Sequence, residues 1–157
     1  MKKRFACLAM TLALLALGAC SAAGAEVTVW RAVPSYYLES GSALERETVR
    51  VDASLSEIDA AVAAFNTDTN DAELERPLPD GVDITGWELD GTELKLSLSA
   101  EYASVTGYRR SIADACMVLT FCAIEGVERV SIYSEGTMLT AAMSAADIVL
   151  TDVTGAG

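Results

Sequence analysis

The chain has 157 residues, with 23 acidic against 11 basic side chains, a formal net charge of −12 and no histidine. That surplus of carboxylates excludes nucleic acid as a partner, because counterion release needs basic groups set against phosphates. The missing histidine removes Ser-His and Cys-His nucleophile pairs, histidine-ligated zinc and the commonest general base at neutral pH.

Lys2, Lys3 and Arg4 precede an apolar run from Phe5 to Leu17, and small residues lead on to Cys20. A basic start, a short apolar stretch and small residues before a cleavage point make residues 1–19 a secretory signal. The run is too short for a transmembrane helix, which needs about twenty apolar residues. Leu17-Gly18-Ala19-Cys20 resembles a lipobox, in which the cysteine thiol accepts diacylglycerol, while Ala23-Gly24-Ala25 offers a competing site for an ordinary signal peptidase. The lipobox is the stronger reading, since Ala-x-Ala triplets arise by chance in alanine-rich sequence. Cys20 is therefore the expected lipidation site. Its acyl chains, palmitate among them, would hold the mature protein on the extracytoplasmic face of the membrane. Loss of the leader cations takes the net charge from −12 to −15.

Residues 20–25 read as the lipidated cysteine and a tether, 26–140 as one folded domain, and 141–157 as a C-terminal extension. Val27, Val29 and Trp30 predict a first strand closed by Pro34 and Ser35, and Glu47 to Val51 a second. Ser54-Leu55-Ser56-Glu57 has the capping-box pattern, and Leu55, Ile58, Val62 and Phe65 follow at helical spacing. Thr67 to Glu75 is polar and acidic, and Pro77, Pro79 and Gly81 extend it into a long irregular connection.

Asp90-Gly91 between Val82–Leu89 and Glu93–Ser99 predicts a two-residue hairpin turn. Leu94, Leu96 and Leu98 alternate with polar residues, so one face of that strand is buried, and Gly86 shifts the alternation of its partner as a bulge would. From Tyr108 to Ile124 a stripe of Ile112, Ala115, Cys116, Leu119, Cys122 and Ala123 predicts a second helix. Glu128 to Tyr133 reads as a strand with Val130 and Ile132 inward, Gly136 as a turn before Met138 and Leu139, and Ile148 to Thr151 as an added edge strand. The fold class is α/β in the α+β sense: a mixed β-sheet with two helices packed on one face.

Cys7 leaves with the leader and Cys20 is acylated, which leaves Cys116 and Cys122. Six residues along a helix is about 9 Å of rise and about 240° of rotation, too far for a disulfide, so both are expected as free thiols. Asp68, Asp71, Glu73 and Glu75 are the carboxylates that a glycosidase pair would draw on, yet no aromatic cleft accompanies them, and a solvated acidic loop explains them better. Asp68, Asn70 and Asp71 make a poor calcium loop, with Ala72 at a ligand position and no turn glycine. No phosphate-binding glycine loop is present. Arg109 and Arg110 open the second helix and are read as exposed charges before a carboxylate site. Trp30, Tyr36 and Tyr37 suggest a contact patch, with Trp30 equally suited to the core. No catalytic residue, metal ligand or cofactor site is expected.

Several stretches carry a resemblance: Leu78-Pro79-Asp80-Gly81-Val82, Leu89-Asp90-Gly91-Thr92 with Leu96 through Tyr102, and Thr120 to Val127 with Val130, Ile132 and Gly136. Together they resemble the GerMN domain of bacterial envelope lipoproteins, from about Val27 to Leu139. This chain departs from the family pattern at Ser97, where an aspartate is usual, and at Glu125, where a proline is usual. The resemblance implies a fold similar to the ring-building motifs of sporulation channel proteins. It also implies a non-catalytic role in assembly or adhesion within the envelope, in sporulation or germination. A sheet edge is then the expected contact and an envelope protein less acidic than this one the expected partner. The competing reading is a membrane-anchored binding module for a solute or cell-wall ligand.

Overall fold

In this computed structural model residues 24–34 and 41–150 are described. The leader at 1–19, Cys20, and Tyr36 and Tyr37 lie outside them.

The chain forms β1 (Gly24–Ala32), β2 (Leu44–Asp52), α1 (Glu57–Asn66), β3 (Ile84–Asp90), β4 (Glu93–Leu98), α2 (Gly107–Phe121), β5 (Arg129–Ser134) and β6 (Thr137–Met143). The α+β class holds, but the strands divide into two sheets instead of one. β1 and β2 make an antiparallel pair in register from Gly24↔Asp52 to Ala32↔Leu44. The other four lie in the order β3-β4-β5-β6, with β4 and β5 parallel and the outer pairs antiparallel. A parallel pair requires a crossover, and α2 supplies it. α2 packs against β1 and β5, and α1 against β1, β2 and α2, so the helices join the small sheet to the large one.

One continuous core results. Val29, Leu44 and Val49 from the small sheet meet Ala64 and Phe65 of α1, Met117 and Phe121 of α2, and Leu94, Leu96, Val130 and Ile132 of the large sheet. The rings of Phe65 and Phe121 stand 6.2 Å apart in a tilted pair. Burying each of these large side chains contributes on the order of 2–3 kcal/mol, which sets the strand faces and helix faces together.

Local chemistry accounts for the boundaries, with several shifts from the sequence reading. β1 begins at Gly24, so the tether gives up its last two residues, Gly24 and Ala25, to the strand. The cap of α1 is Ser56, two residues beyond Ser54. The Ser56 Oγ accepts the Asp59 N–H at 3.2 Å, and Leu55 stays outside the helix with 39% of its surface exposed. The hairpin turn is Gly91-Thr92, because Asp90 already pairs with Glu93; of the two turn residues only Gly91 has positive φ, at 63°. The Gly86 bulge is present as a register shift between Ile84 and Gly86.

The buried face of α2 is Ala113, Cys116, Met117, Val118, Thr120 and Phe121, with Asp114 at its border, turned from the apolar stripe read in the sequence. Ile112, Ala115, Leu119 and Cys122 are half-buried, because α2 has strands on more than one side. At the C-terminus β6 runs to Met143, and residues 148–150 form no strand; the chain there makes a single helical turn at Ala145–Asp147. Thr151 lies outside the described residues.

Candidate functional site

The acidic connection after α1 is not a free loop. Glu47 reaches out from β2, and its Oε1 accepts the Thr69 hydroxyl at 2.9 Å and the Asn70 N–H at 3.0 Å. The Asp71 carboxylate accepts the Glu73 N–H at 2.9 Å, and Glu75 exchanges two backbone hydrogen bonds with Ala32 at 2.9 and 3.1 Å. Leu74 and Leu78 are buried and pin the segment to the core. Among the described residues, no three Cys, Asp or Glu side chains gather to hold a metal ion.

Behind Glu47 stands Arg31, wholly buried on β1. Its Nε donates to Glu47 Oε2 at 2.7 Å, and its two terminal nitrogens donate to the Phe65 and Ala64 carbonyls at 3.1 and 3.0 Å. Those carbonyls close α1, where backbone oxygens lack helical partners and negative dipole ends collect. A buried cation is tolerated there because every side of it meets an acceptor. Burial works against the charged form of Glu47, but hydrogen bonds from Asn70, Arg31 and Thr69 outweigh it and hold the carboxyl below its ordinary range.

Arg109 and Arg110 part company. Arg109 is exposed at the start of α2, as expected. Arg110 is corrected: its guanidinium pairs with Asp114 one turn on at 3.1 Å and lies 4.6 Å over the Tyr102 ring. Asp114 also accepts the hydroxyls of Tyr102 and of Thr140, the latter at 2.7 Å. Burial and the neighbouring Asp114 charge keep the Tyr102 hydroxyl protonated far above the phenol range. Sequence reasoning missed Arg31 and Asp114, since a charged residue in an otherwise ordinary strand or helix gives no local sign that it is buried.

The surface around Arg109 is hollowed. A depression of about 620 Å³ is bounded by Asp68, Glu75, Asp80, Arg76 and Arg109 with no aromatic ring. Arg76 donates from one terminal nitrogen to the Val82 carbonyl and the Asp83 carboxylate, and its buried Nε has no partner among the described residues. Charges of both signs interleave here, and the carboxylates are dispersed around the rim.

The outer strands of the two sheets present further surface. β2 carries Glu45, Arg46, Arg50 and Asp52, and the Arg46 guanidinium lies 5.7 Å over the half-buried Trp30 ring. Charges of this density discourage pairing with another strand. β3 exposes Trp87 and Leu89, with the Trp87 Nε1 donating to Asp59 at 2.8 Å. β6 has no charged residue over Thr137–Met143, and two register shifts against β5 distort it.

A small acidic α+β domain with open strand edges and buried charges that hold its elements together is the class that this geometry defines. The comparisons place it further. Residues 34–140 match the Germane family, described as sporulation and spore germination, and the chain belongs to that family. The tandem GerMN domains of the sporulation protein GerM from Bacillus subtilis share its fold with a TM-score of 0.60 and 18% identity, over 78% of this chain and 46% of that one. The chain thus spans about half the length of that relative. A protein from Clostridium perfringens described as a candidate lipoprotein aligns with a TM-score of 0.49 and 11% identity, over 80% of this chain and 90% of that one. No curated protein sequence matches the chain. The GerMN resemblance of the sequence is therefore correct. β1 precedes the matched residues, yet it supplies Val29 and Arg31 to the core.

Proposed function

We propose that this chain is a non-catalytic, lipid-anchored interaction domain on the extracytoplasmic face of the membrane, acting in sporulation or germination through protein contacts at its sheet edges. Membership of the Germane family over residues 34–140 carries the reading. The Leu17 to Cys20 signature supports the anchor, and no helix among the described residues is long and apolar enough to cross a membrane. The buried charged groups support a scaffold role, since Arg31, Glu47 and Asp114 are all engaged in holding elements together. A net charge of −12 favours a less acidic envelope protein as partner over a second copy of the chain. Mass spectrometry of the mature N-terminus from native membranes should find a diacylated Cys20. An unmodified N-terminus within 21–26 would remove the anchor.

The hollow around Arg76 and Arg109 favours a second reading, a binding module for a carboxylate-bearing solute or wall fragment, because two guanidinium groups line it. Calorimetric titration of wall fragments against wild type and Arg109→Ala separates the two. Saturable heat that Arg109→Ala abolishes would replace the interaction reading with this one.

A further inference from the structure

We infer that the free half of β1 is the docking edge, and that it takes up an extended, basic segment of another envelope protein as an added strand. The inference rests on the anchored-interaction reading above and names the edge, the cleft and the chemistry of the partner.

In an antiparallel strand, alternate residues direct both the N–H and the C=O to the same side. On β1 the sides can be assigned. The Val33 N–H turns toward the β2 side, to the Ala43 carbonyl at 2.9 Å. Ala32 turns the other way and exchanges both of its bonds with Glu75, and the Trp30 N–H follows, donating to Thr120 Oγ1 at 2.9 Å. The even-numbered residues of β1 therefore face away from β2. By the same alternation Thr28 and Glu26 present an N–H and a C=O each on that side. Among the described residues none of these four groups has a partner. Thr28 and Glu26 stand about 6.8 Å apart along the strand, the repeat of an antiparallel ladder.

These groups border a cleft of about 410 Å³ between β1, the start of α1 and the end of α2. Ala60, Ala61 and Ala123 line it, and such short side chains leave room for a further strand; Leu55 and Ile124 add apolar wall. Thr120 closes one end by capping Trp30, so the added strand would lie beside residues 24–28. The other edges are less suited: β2 is charged along its length, β3 is bulged at Gly86, and β6 is distorted twice.

Charge decides the occupant. The ionisable residues lining the cleft are Glu26 and Glu57, with no lysine or arginine among the lining. Arg50 touches Glu26 from the neighbouring strand at 3.1 Å, at a pair that is largely exposed on both sides. A second copy of so acidic a chain would bring like charges together, whereas a segment bearing Lys or Arg at alternate positions would place them against Glu26 and Glu57. The backbone supplies the affinity and these positions the selectivity. Cys20 precedes Glu26 by six residues, a reach of at most about 20 Å, so an anchored domain offers this edge close to the bilayer surface. The segment received is then the part of a membrane protein just outside the bilayer.

The test places p-benzoylphenylalanine at Leu55, at Trp87 or at Met138 of the full-length anchored protein in native cells, and identifies the crosslinked peptides by mass spectrometry. Crosslinks at Leu55 to a positively charged segment of a membrane protein are expected. Thr28→Pro removes an outward N–H and leaves the β1–β2 ladder intact, since an edge strand accepts proline where the N–H faces away from its neighbour. It should lower the Leu55 crosslink about tenfold with thermal stability little changed. Glu26→Lys with Glu57→Lys alters no backbone group, so it serves if the proline variant fails to fold, and it should lower the same crosslink by a similar factor. Crosslinks from Trp87 or Met138 without any from Leu55 would overturn this inference and leave the interaction reading standing. None from any position would overturn both. An acidic segment or a second copy captured at Leu55, or capture indifferent to every substitution, would overturn the assignment of the partner.

Discussion

Arg31 on β1 and Glu47 on β2 meet at 2.7 Å across the small sheet, at side-chain exposures of 0% and 10%, and between them they hold the end of α1 and the connection that follows it. Arg31→Met should therefore destabilise the domain by about 3–5 kcal/mol, because it strands a largely buried carboxylate and uncouples two helix-end carbonyls. Urea unfolding measures this. The double variant Arg31→Met with Glu47→Gln should lose less than the two single losses added together, since the stranded charge is gone. Strict additivity would show that the pair does not couple the two strands.

Acid sensitivity follows from the same carboxylate. Glu47 titrates below its ordinary value of 4.5 in the folded chain. Its contribution to stability is therefore complete above that value and lost as pH falls through the folded pKa. Between about pH 7 and about pH 3 the urea midpoint of wild type should fall further than that of Glu47→Gln, which has no proton to take up there. Asp52, Asp59, Asp90 and Asp147 are also depressed, so the variant should keep part of the slope. Parallel profiles would remove Glu47 from the account.

The turn between β5 and β6 holds Glu135 at φ 48° and Gly136 at φ 75°. A side chain in the left-handed region costs about 1–2 kcal/mol. Glu135→Gly should consequently raise stability by about 0.5–1 kcal/mol after the added unfolded-state entropy of glycine is counted, while Gly136→Ala should lower it. A melting point that moves down with Glu135→Gly would contradict the strain.

Cys116 is wholly buried and Cys122 half-buried, with no disulfide between them. Burial raises the pKa of both thiols, most strongly at Cys116. In the folded protein a thiol reagent should modify Cys122 slowly and leave Cys116 untouched, and in denaturant without reductant both should react. Two thiols that resist labelling after unfolding would mean a disulfide.

Features carried by neighbours in the chain were legible. Leu94, Leu96 and Leu98 announce a strand with one buried face, Gly86 its partner's bulge, and the glycine after Asp90 the reversal between them, because each depends on a few adjacent residues. Ser56 was within reach too. Its serine and the Asp59 three residues on make the same pattern as the Ser54 pair, and only the backbone decides which of two overlapping caps is used. Free Cys116 and Cys122 followed from helix geometry alone.

By itself the sequence determined the family, the α+β class with two helices and the acidic surface, and it is the basis on which a leader and lipidation at Cys20 are proposed. These are properties of composition, motif and periodicity, which tertiary contacts do not alter. Only the tertiary structure decided that β1 and β2 separate as their own sheet, that α2 turns Met117 and Phe121 inward ahead of its more apolar stripe, and that Arg31 and Asp114 are buried. Each of these depends on which distant surface arrives: a helix flanked by strands buries the face that fills the gap, and a charge enters the core only where acceptors from other elements converge on it. The unpaired groups of Glu26 and Thr28 belong to the same class, since an edge is defined by the strand that is not beside it.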